Sequence, residues 1–314
     1  MERLEHRLAR ARELSWSHLG KRISFHLPGM FAINGSRGRY PALSLTGKAC
    51  SLGCDHCNGK LLEPMIPATD PQALVEKCRA LEAAGHLGVL VSGGCDPDGR
   101  LPWEAFLPAL AEVKATTGLT VTVHSAFVTE ETALGLKTAG VDQALVDVIG
   151  SDATYRQVYH MDAGLVRLKA SLAALGKAGL PVVPHIICGL HYGEVRGEAE
   201  ALDMVADLDP EVVVLISLMN LPGTAMATVP PPAPEAVAEL IVATRLRLPK
   251  TPLSLGCARP RGRERLELLA VEAGVNRLAL PSEEARQRAE ELGLDIEYHR
   301  TCCSVRRGPG ENPW

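Results

Sequence analysis

From Pro41 onward the chain repeats one pattern: a short apolar run rich in Val, Ile and Leu, a polar loop, then a stretch with apolar residues at helical spacing. Eight such runs stand out, at 42–46, 88–92, 120–124, 143–148, 182–187, 212–218, 252–255 and 276–280. Between them lie helical patterns such as 72–84 and 163–178, with Gly85, Gly140 and Gly179 placed as C-terminal caps. Near-continuous apolar strands alternating with helices predict a parallel sheet covered on both faces. Eight units predict an α/β fold, a closed (β/α)8 TIM-type barrel, with an incomplete six-strand barrel as the rival. In such a barrel the functional residues sit at the C-terminal ends of the strands.

The first forty residues stand outside this pattern. Residues 1–20 read as an amphipathic helix with Leu4, Leu8, Ala11 and Leu14 on one face. The stretch 25–40 is rich in Gly and aromatics and is expected to lie, without regular structure, across one end of the barrel. The organisation expected is therefore an extension, 1–40, and a barrel with its tail, 41–314, in a single domain. Pro230 to Pro234 reads as a stiff connector inside the barrel, and 306–314 as an unordered tail.

Charge and composition narrow the classes. The net charge is -4 with both signs interspersed, so no basic footprint for nucleic acid is present. The longest apolar run, Val212 to Met219, falls far short of the ~20 residues of a membrane span. Residues 1–10 are charged and lack the apolar core of a secretory signal. Nine cysteines, an odd number unevenly spaced, read as thiols of a reducing cytoplasm, serving as ligands or core residues. The expectation is a cytoplasmic protein with no membrane and no nucleic-acid partner.

The candidate chemistry starts after the first run, at Cys50-Ser-Leu-Gly-Cys54-Asp-His-Cys57. A short loop wrapping three thiolates round one point suits an iron–sulfur cube, leaving the fourth iron open to a small molecule. The alternative is structural zinc, which takes four closed ligands. His56 is too tightly placed between two cysteines to close the same tetrahedron easily, and no second C-x2-C pair follows at zinc-ribbon distance. After the second run comes Ser92-Gly93-Gly94-Cys95-Asp96, where bare backbone permits close approach by a ligand. The fourth run ends in Asp147, either a ligand for hydroxyl groups or the cap of the next helix. The fifth carries His185 and ends in Ile187-Cys188-Gly189. The seventh leads into Gly256-Cys257-Ala-Arg259-Pro-Arg261, and the tail holds Cys302-Cys303-Ser304. Adjacent cysteines on one strand would point to opposite faces, whereas on a loop both can turn to one centre. Cys257, Cys302 and Cys303 flank polar residues and are read as a second cluster site, with Ser304 as a weak fourth ligand. Cys78 falls on a core stripe; Cys95 and Cys188 read as close-packed residues near the first site, Cys95 being the substitute auxiliary ligand.

The C-x3-C-x2-C loop after a first strand resembles the signature of the radical S-adenosylmethionine (SAM) superfamily. The resemblance implies a barrel of the radical SAM kind and a 4Fe-4S cluster on Cys50, Cys54 and Cys57 that chelates and cleaves SAM. It also implies contacts to SAM from Gly93, Gly94, Asp96, Asp147, Ile187 and Gly189. The Leu-Pro-Gly-Thr segment at 221–224 and Leu253-Ser-Leu-Gly256 are similar to biotin synthase, with Cys257 where that family has a cluster-ligating arginine. Within these proteins the chain looks most like the second component of the two-protein lipoyl synthase. That likeness implies an auxiliary 4Fe-4S cluster on Cys257, Cys302 and Cys303, consumed as sulfur donor. The substrate implied is an octanoyl chain on a lipoyl carrier domain or glycine-cleavage H-type protein, taking its first sulfur at the terminal carbon. A partner radical SAM synthase would add the second sulfur, and a reducing electron carrier would feed the reaction. The alternatives are another sulfur insertion of biotin-synthase type and, in a different class, a non-catalytic iron–sulfur or zinc protein. Arg259 and Arg261 are open to binding a carboxylate or to serving as surface charge.

Overall fold

The computed structural model describes residues 3–262, 264–305 and 314. Helix α1 (Leu4–Leu19) is followed by strand β1 (Arg22–His26), the small hairpin β2 (Ala32–Ile33) and β3 (Ser36–Arg37), then β4 (Ala42–Ser44) and β5 (Ile66–Pro67). Helix α2 (Pro71–Ala83), β6 (Gly88–Ser92), α3 (Trp103–Thr116), β7 (Thr120–His124), α4 (Glu130–Thr138) and β8 (Gln143–Asp147) continue the alternation. Two helices, α5 (Asp152–Val158) and α6 (Gly164–Lys177), precede β9 (Val182–Cys188), α7 (Glu198–Ala206) and β10 (Val213–Ser217). The chain closes with α8 (Pro234–Arg247), β11 (Leu253–Leu255), α9 (Glu264–Glu272), β12 (Arg277–Ala279), α10 (Glu283–Glu291) and β13 (Asp295–His299).

All strands except the hairpin join one curled parallel sheet in the order β13-β1-β12-β11-β10-β9-β8-β7-β6-β4-β5. The eight expected strands are β4 and β6 to β12, neighbours in sequence order as in a TIM-type arrangement, but the sheet curls without the expected closure, with β13 and β5 at its two edges. Three strands are additional. The most informative is β1, a strand the pattern did not predict, which runs into the stretch expected to be irregular at Phe25 and His26 and lies between β12 and β13. Its apolar Ile23 and Phe25 join the core under the helices, while Ser24 and His26 are equally buried and bond each other at 3.0 Å. Polar residues on a buried face hide such a strand from any hydrophobic count.

Two apolar layers result. The larger lies between sheet and helices; the smaller, with Leu145, Val183, Val214, Ile216 and Ala279, fills the inside of the curl and includes Cys303 from the tail. Helices begin where the sequence supplies caps: Asp70 accepts from Ala73 N–H at 2.8 Å, and Ser151 accepts from Thr154 N–H at 3.3 Å. The expected unordered tail 306–314 lies outside the described residues except for Trp314, which is buried, with its ring 5.8 Å from Tyr298. Among the described residues no helix is long and apolar enough to cross a membrane.

Candidate active site

The loop after β4 brings the sulfurs of Cys54 and Cys57 and a ring nitrogen of His56 within 4.8 Å of one another. A hydrogen bond from the Cys54 thiol lowers Cys57 to about 4, helped by His56, while the same contact and burial raise Cys54. The expectation that His56 stands too tight to share a centre with its neighbours does not hold geometrically: its ring packs 5.2 Å from Tyr159 and turns toward both sulfurs. Cys50 is half-buried and within electrostatic reach of Cys54 and Cys95, on the side of the loop after β6.

That second loop braces the first. A Cβ on Gly94 would stand 2.0 Å from the Ala49 carbonyl and 2.6 Å from Cys50 Cβ, so only glycine fits against the cysteine loop. Gly94 N–H donates to Thr46 Oγ1 at 2.6 Å, and Ser51 N–H donates to the Cys95 carbonyl at 2.7 Å. The glycine is there for close packing, and its N–H is already engaged. At Gly93 an added Cβ would stand 3.1 Å from Thr46 Oγ1. The Asp96 carboxylate is committed to its own turn, accepting from the N–H groups of Asp98 and Arg100 at 2.9 and 2.8 Å. A cavity of about 490 Å³ opens here, with Cys50, Gly94, Cys95, Asp96 and Arg100 in its wall.

The strand ends of β7, β8 and β9 place three titratable groups together. His124 Nε2 lies 3.4 Å from Asp147 Oδ1, and the His124 and His185 rings are 6.0 Å apart. Burial alone would raise Asp147, but His124 outweighs it and the carboxyl is lowered; burial would lower His124, but Asp147 raises it. At His185 burial outweighs the opposing pull of Asp147 and the Val183 carbonyl and lowers it to about 4. The two readings of Asp147 separate here, because Ser151 caps the next helix and Asp147 instead faces a cavity of about 120 Å³ shared with Cys95, His124, Tyr155 and Tyr159. At the end of β9, Ile187 lines the barrel interior, Cys188 is buried in the core, and Gly189 N–H donates to Glu198 Oε1 at 2.7 Å. Gly189 is left-handed, with φ of 74°.

The second thiol group forms where the tail returns into the curl. Cys302 and Cys303 sit in a turn, share a hydrogen bond, and both lie in electrostatic reach of Cys257 beyond β11. The Cys303 bond lowers Cys302 to about 6, and Ser304 Oγ adds a donor 3.1 Å from its sulfur. Burial raises Cys257 to about 11. The three expected thiols therefore line one cavity, with Ser304 beside Cys302, but among the described residues their sulfurs do not form a group within 4.8 Å of one another. Cys95 is not in the wall of that cavity: it lines two others, one of them with Cys50, and so sits beside the first cysteine loop. Arg259 is buried and committed to Glu267 at 2.7 Å and the carbonyls of Gly256 and Leu280, so it binds no outside carboxylate. Arg261 is exposed, donates to the Cys257 carbonyl at 2.8 Å and lies over the Phe31 ring.

A cavity of about 220 Å³ is lined by Cys257, Cys302 and Cys303 and, from the first group, by His56, while Cys50, Cys54 and Cys57 are not in its wall. Leu61 also lines it, and the wall is mainly apolar.

Residues 44–208, more than half of the chain, match the Radical SAM superfamily. The chain belongs to that superfamily. It is 28% identical over 283 residues to a biotin synthase of Halorhodospira halophila, covering 83% of this chain and 84% of that protein. A biotin synthase of Polaromonas naphthalenivorans is 26% identical over 283 residues, covering 84% and 80%. Among solved structures, HydG, a maturase of the [FeFe]-hydrogenase, aligns with TM-score 0.69 at 16% identity, over 95% of this chain and 70% of that one. Methylornithine synthase aligns with TM-score 0.64 at 18% identity, over 94% and 90%. These two share the fold.

Membership implies a 4Fe-4S cluster and SAM. Cys50, Cys54 and Cys57 fit the cluster: one loop supplies the sulfurs, Cys57 is lowered by its neighbours, and open space adjoins Cys50. Zinc fits less well, since the compact group among the described residues offers three ligands where a closed site takes four. Sequence reasoning missed Asp55, whose partners lie more than a hundred residues away, and the pairing of His124 with Asp147. Neither has a local signal.

Proposed function

We propose that this radical SAM enzyme inserts sulfur into an unactivated alkyl chain, with an octanoyl group on a lipoyl carrier domain or H-type protein as substrate. Cys50, Cys54 and Cys57 would hold the SAM cluster, and Cys257, Cys302 and Cys303 an auxiliary 4Fe-4S cluster that donates sulfur. When bound, these groups supply the 5'-deoxyadenosyl radical and the sulfide. The observation that carries the reading is the mainly apolar 220 Å³ cavity, which has His56 of the first cysteine loop and the three thiols Cys257, Cys302 and Cys303 in its wall. Leu90, Leu145, Val214 and Ile216 line it and make it suitable for a hydrocarbon chain. An alkyl C–H offers nothing to acid–base chemistry, so the residues position the chain and exclude water while a cofactor carries the hard step. His124, Asp147 and Ile187 also line that cavity and would contact a ligand of the first cluster. A partner radical SAM synthase and a reducing electron carrier complete the proposal.

The test is iron and sulfide content with Mössbauer spectroscopy on anaerobically reconstituted protein, beside the Cys50/Cys54/Cys57 triple Ala variant. Two cubes give about eight irons per chain, falling to about four in the variant. Four falling to none would remove the auxiliary cluster and with it the sulfur donor. Mass spectrometry of an octanoylated carrier domain then reads product, and Cys302→Ala is expected to retain SAM cleavage and lose product. A second reading, sulfur insertion into a different substrate, is favoured by the near full-length likeness to biotin synthases. Turnover of a biotin precursor and not of the octanoyl carrier would establish it. A non-catalytic iron–sulfur protein would not cleave SAM at all.

A further inference from the structure

Asp55 lies between two of the three cysteines of the first loop, and its side chain and both its backbone groups are bound to other parts of the barrel mouth. Oδ1 pairs with His160 Nε2 at 2.8 Å, and Oδ2 accepts from the Tyr192 hydroxyl at 2.5 Å. Its N–H donates to the Val158 carbonyl at 2.9 Å, and its carbonyl accepts from Met226 N–H at 3.2 Å. The partners come from three segments: Val158 and His160 from the end of α5 onward, Tyr192 after β9, and Met226 after β10. One residue therefore ties the cysteine loop to three consecutive connections of the barrel.

The backbone adds an independent observation. Both side-chain partners are left-handed, with φ of 55° at His160 and 50° at Tyr192. Residues carrying a Cβ avoid that region, and they hold it only where the surroundings over-determine it. Here two such residues converge on one carboxylate, through hydrogen bonds of the strong, charge-assisted kind. Tyr192 makes a further bond to the Gln157 carbonyl at 3.1 Å, so two of the three segments are also tied to each other.

We infer that Asp55 is the positioning residue of the Cys50–Cys57 loop, holding Cys54 and Cys57 in ligand geometry before any cluster arrives. It touches neither substrate nor the reacting atoms. Its effect passes through the two cysteines that flank it, and it holds whatever the substrate proves to be. Groups that orient a metal ligand from behind typically govern affinity by about 10–100-fold.

The test compares the full chain with Asp55→Ala, Asp55→Asn and Tyr192→Phe by two readouts. The first is hydrogen exchange of the metal-free protein over 50–58, 157–160 and 190–193. The second is the rate at which the EPR signal that responds to SAM is lost to a chelator after anaerobic reconstitution. Asp55→Ala is expected to speed exchange in those three segments alone and to speed cluster loss about tenfold. Asp55→Asn keeps an acceptor for Tyr192 and should recover most of both, with Tyr192→Phe between them. Unchanged exchange over 50–58 in Asp55→Ala overturns the inference, as does a rise spread evenly over the barrel, the mark of a general loss of stability. If Asp55→Ala does not fold, Tyr192→Phe carries the test with the same two outcomes.

Discussion

Arg277 holds the backbone of Cys303: its Nη1 donates to the Cys303 carbonyl at 2.9 Å and to the Val305 carbonyl at 2.8 Å, from a buried position on β12. The guanidinium thus anchors the turn that carries both tail cysteines into the curl. A hydrogen bond to a charged group contributes about 1.5–3 kcal/mol. Arg277→Ala should destabilise the chain by about 3 kcal/mol or more and free 301–305 to exchange. Urea unfolding with hydrogen exchange checks it; a tail as protected as in the parent chain would contradict it.

Gly94→Ala should be among the most damaging single-carbon changes. The new Cβ meets backbone and Cys50, not the far end of a flexible side chain, so the cysteine loop itself has to move. Overpacking of this kind costs about 1–3 kcal/mol. The chain is expected to fold with lower stability and to retain far less iron after reconstitution. Iron retention equal to the parent would show that the loops separate without cost.

The His124–Asp147 pair predicts a pH window. Asp147 is lowered, so its contribution is complete above the ordinary carboxylate value of 3.8 and is lost as pH falls through its folded value. His124 is raised, so its contribution is complete below 6.5 and is lost as pH rises through its folded value. The stability difference between the parent and Asp147→Asn should therefore be largest between about pH 4 and 6.5 and shrink on either side. His185, lowered by burial, works the other way, reducing stability as pH falls from 6.5 toward 4. Chemical denaturation across this range decides it; a difference that is flat from pH 4 to 9 would rule out the pair.

Thiolate character predicts an order of alkylation in the metal-free chain. Cys57 at about 4 and Cys302 at about 6 are the two lowered thiols, while burial raises Cys78 and Cys188 to about 12. Reactivity follows the thiolate and its access. Brief iodoacetamide treatment at pH 7 should label Cys57 first, Cys302 next, and Cys78 and Cys188 only on unfolding, as read by peptide mass spectrometry. Early labelling of Cys188 would mean that the core at the end of β9 opens.

Much of the fold was legible in the sequence because a parallel strand covered on both faces must be apolar almost throughout. Eight such runs, each followed by a helix, leave few arrangements other than a curled parallel sheet. The first cysteine loop was legible for a related reason: three thiolates for one centre need short spacing, and short spacing is visible in one dimension. The strand β1 was not legible, since its buried face carries Ser24 and His26, whose polarity is satisfied by partners the sequence does not show.

The sequence by itself determined which residue types stand at the strand ends, because side-chain periodicity and loop spacing are local. Only the tertiary structure decided which of them meet. Cys257 and Cys302 are brought together by the return of the tail, Asp147 pairs with His124 and leaves the cap to Ser151, and Asp96 serves its own turn. Arg259 goes to Glu267, and Asp55 reaches residues 105 and 137 positions away. Distances of that kind are set by how the sheet curls and where each loop comes to rest. Hydrogen-bond partners across the barrel mouth are chosen by that geometry and leave no mark on neighbouring residues.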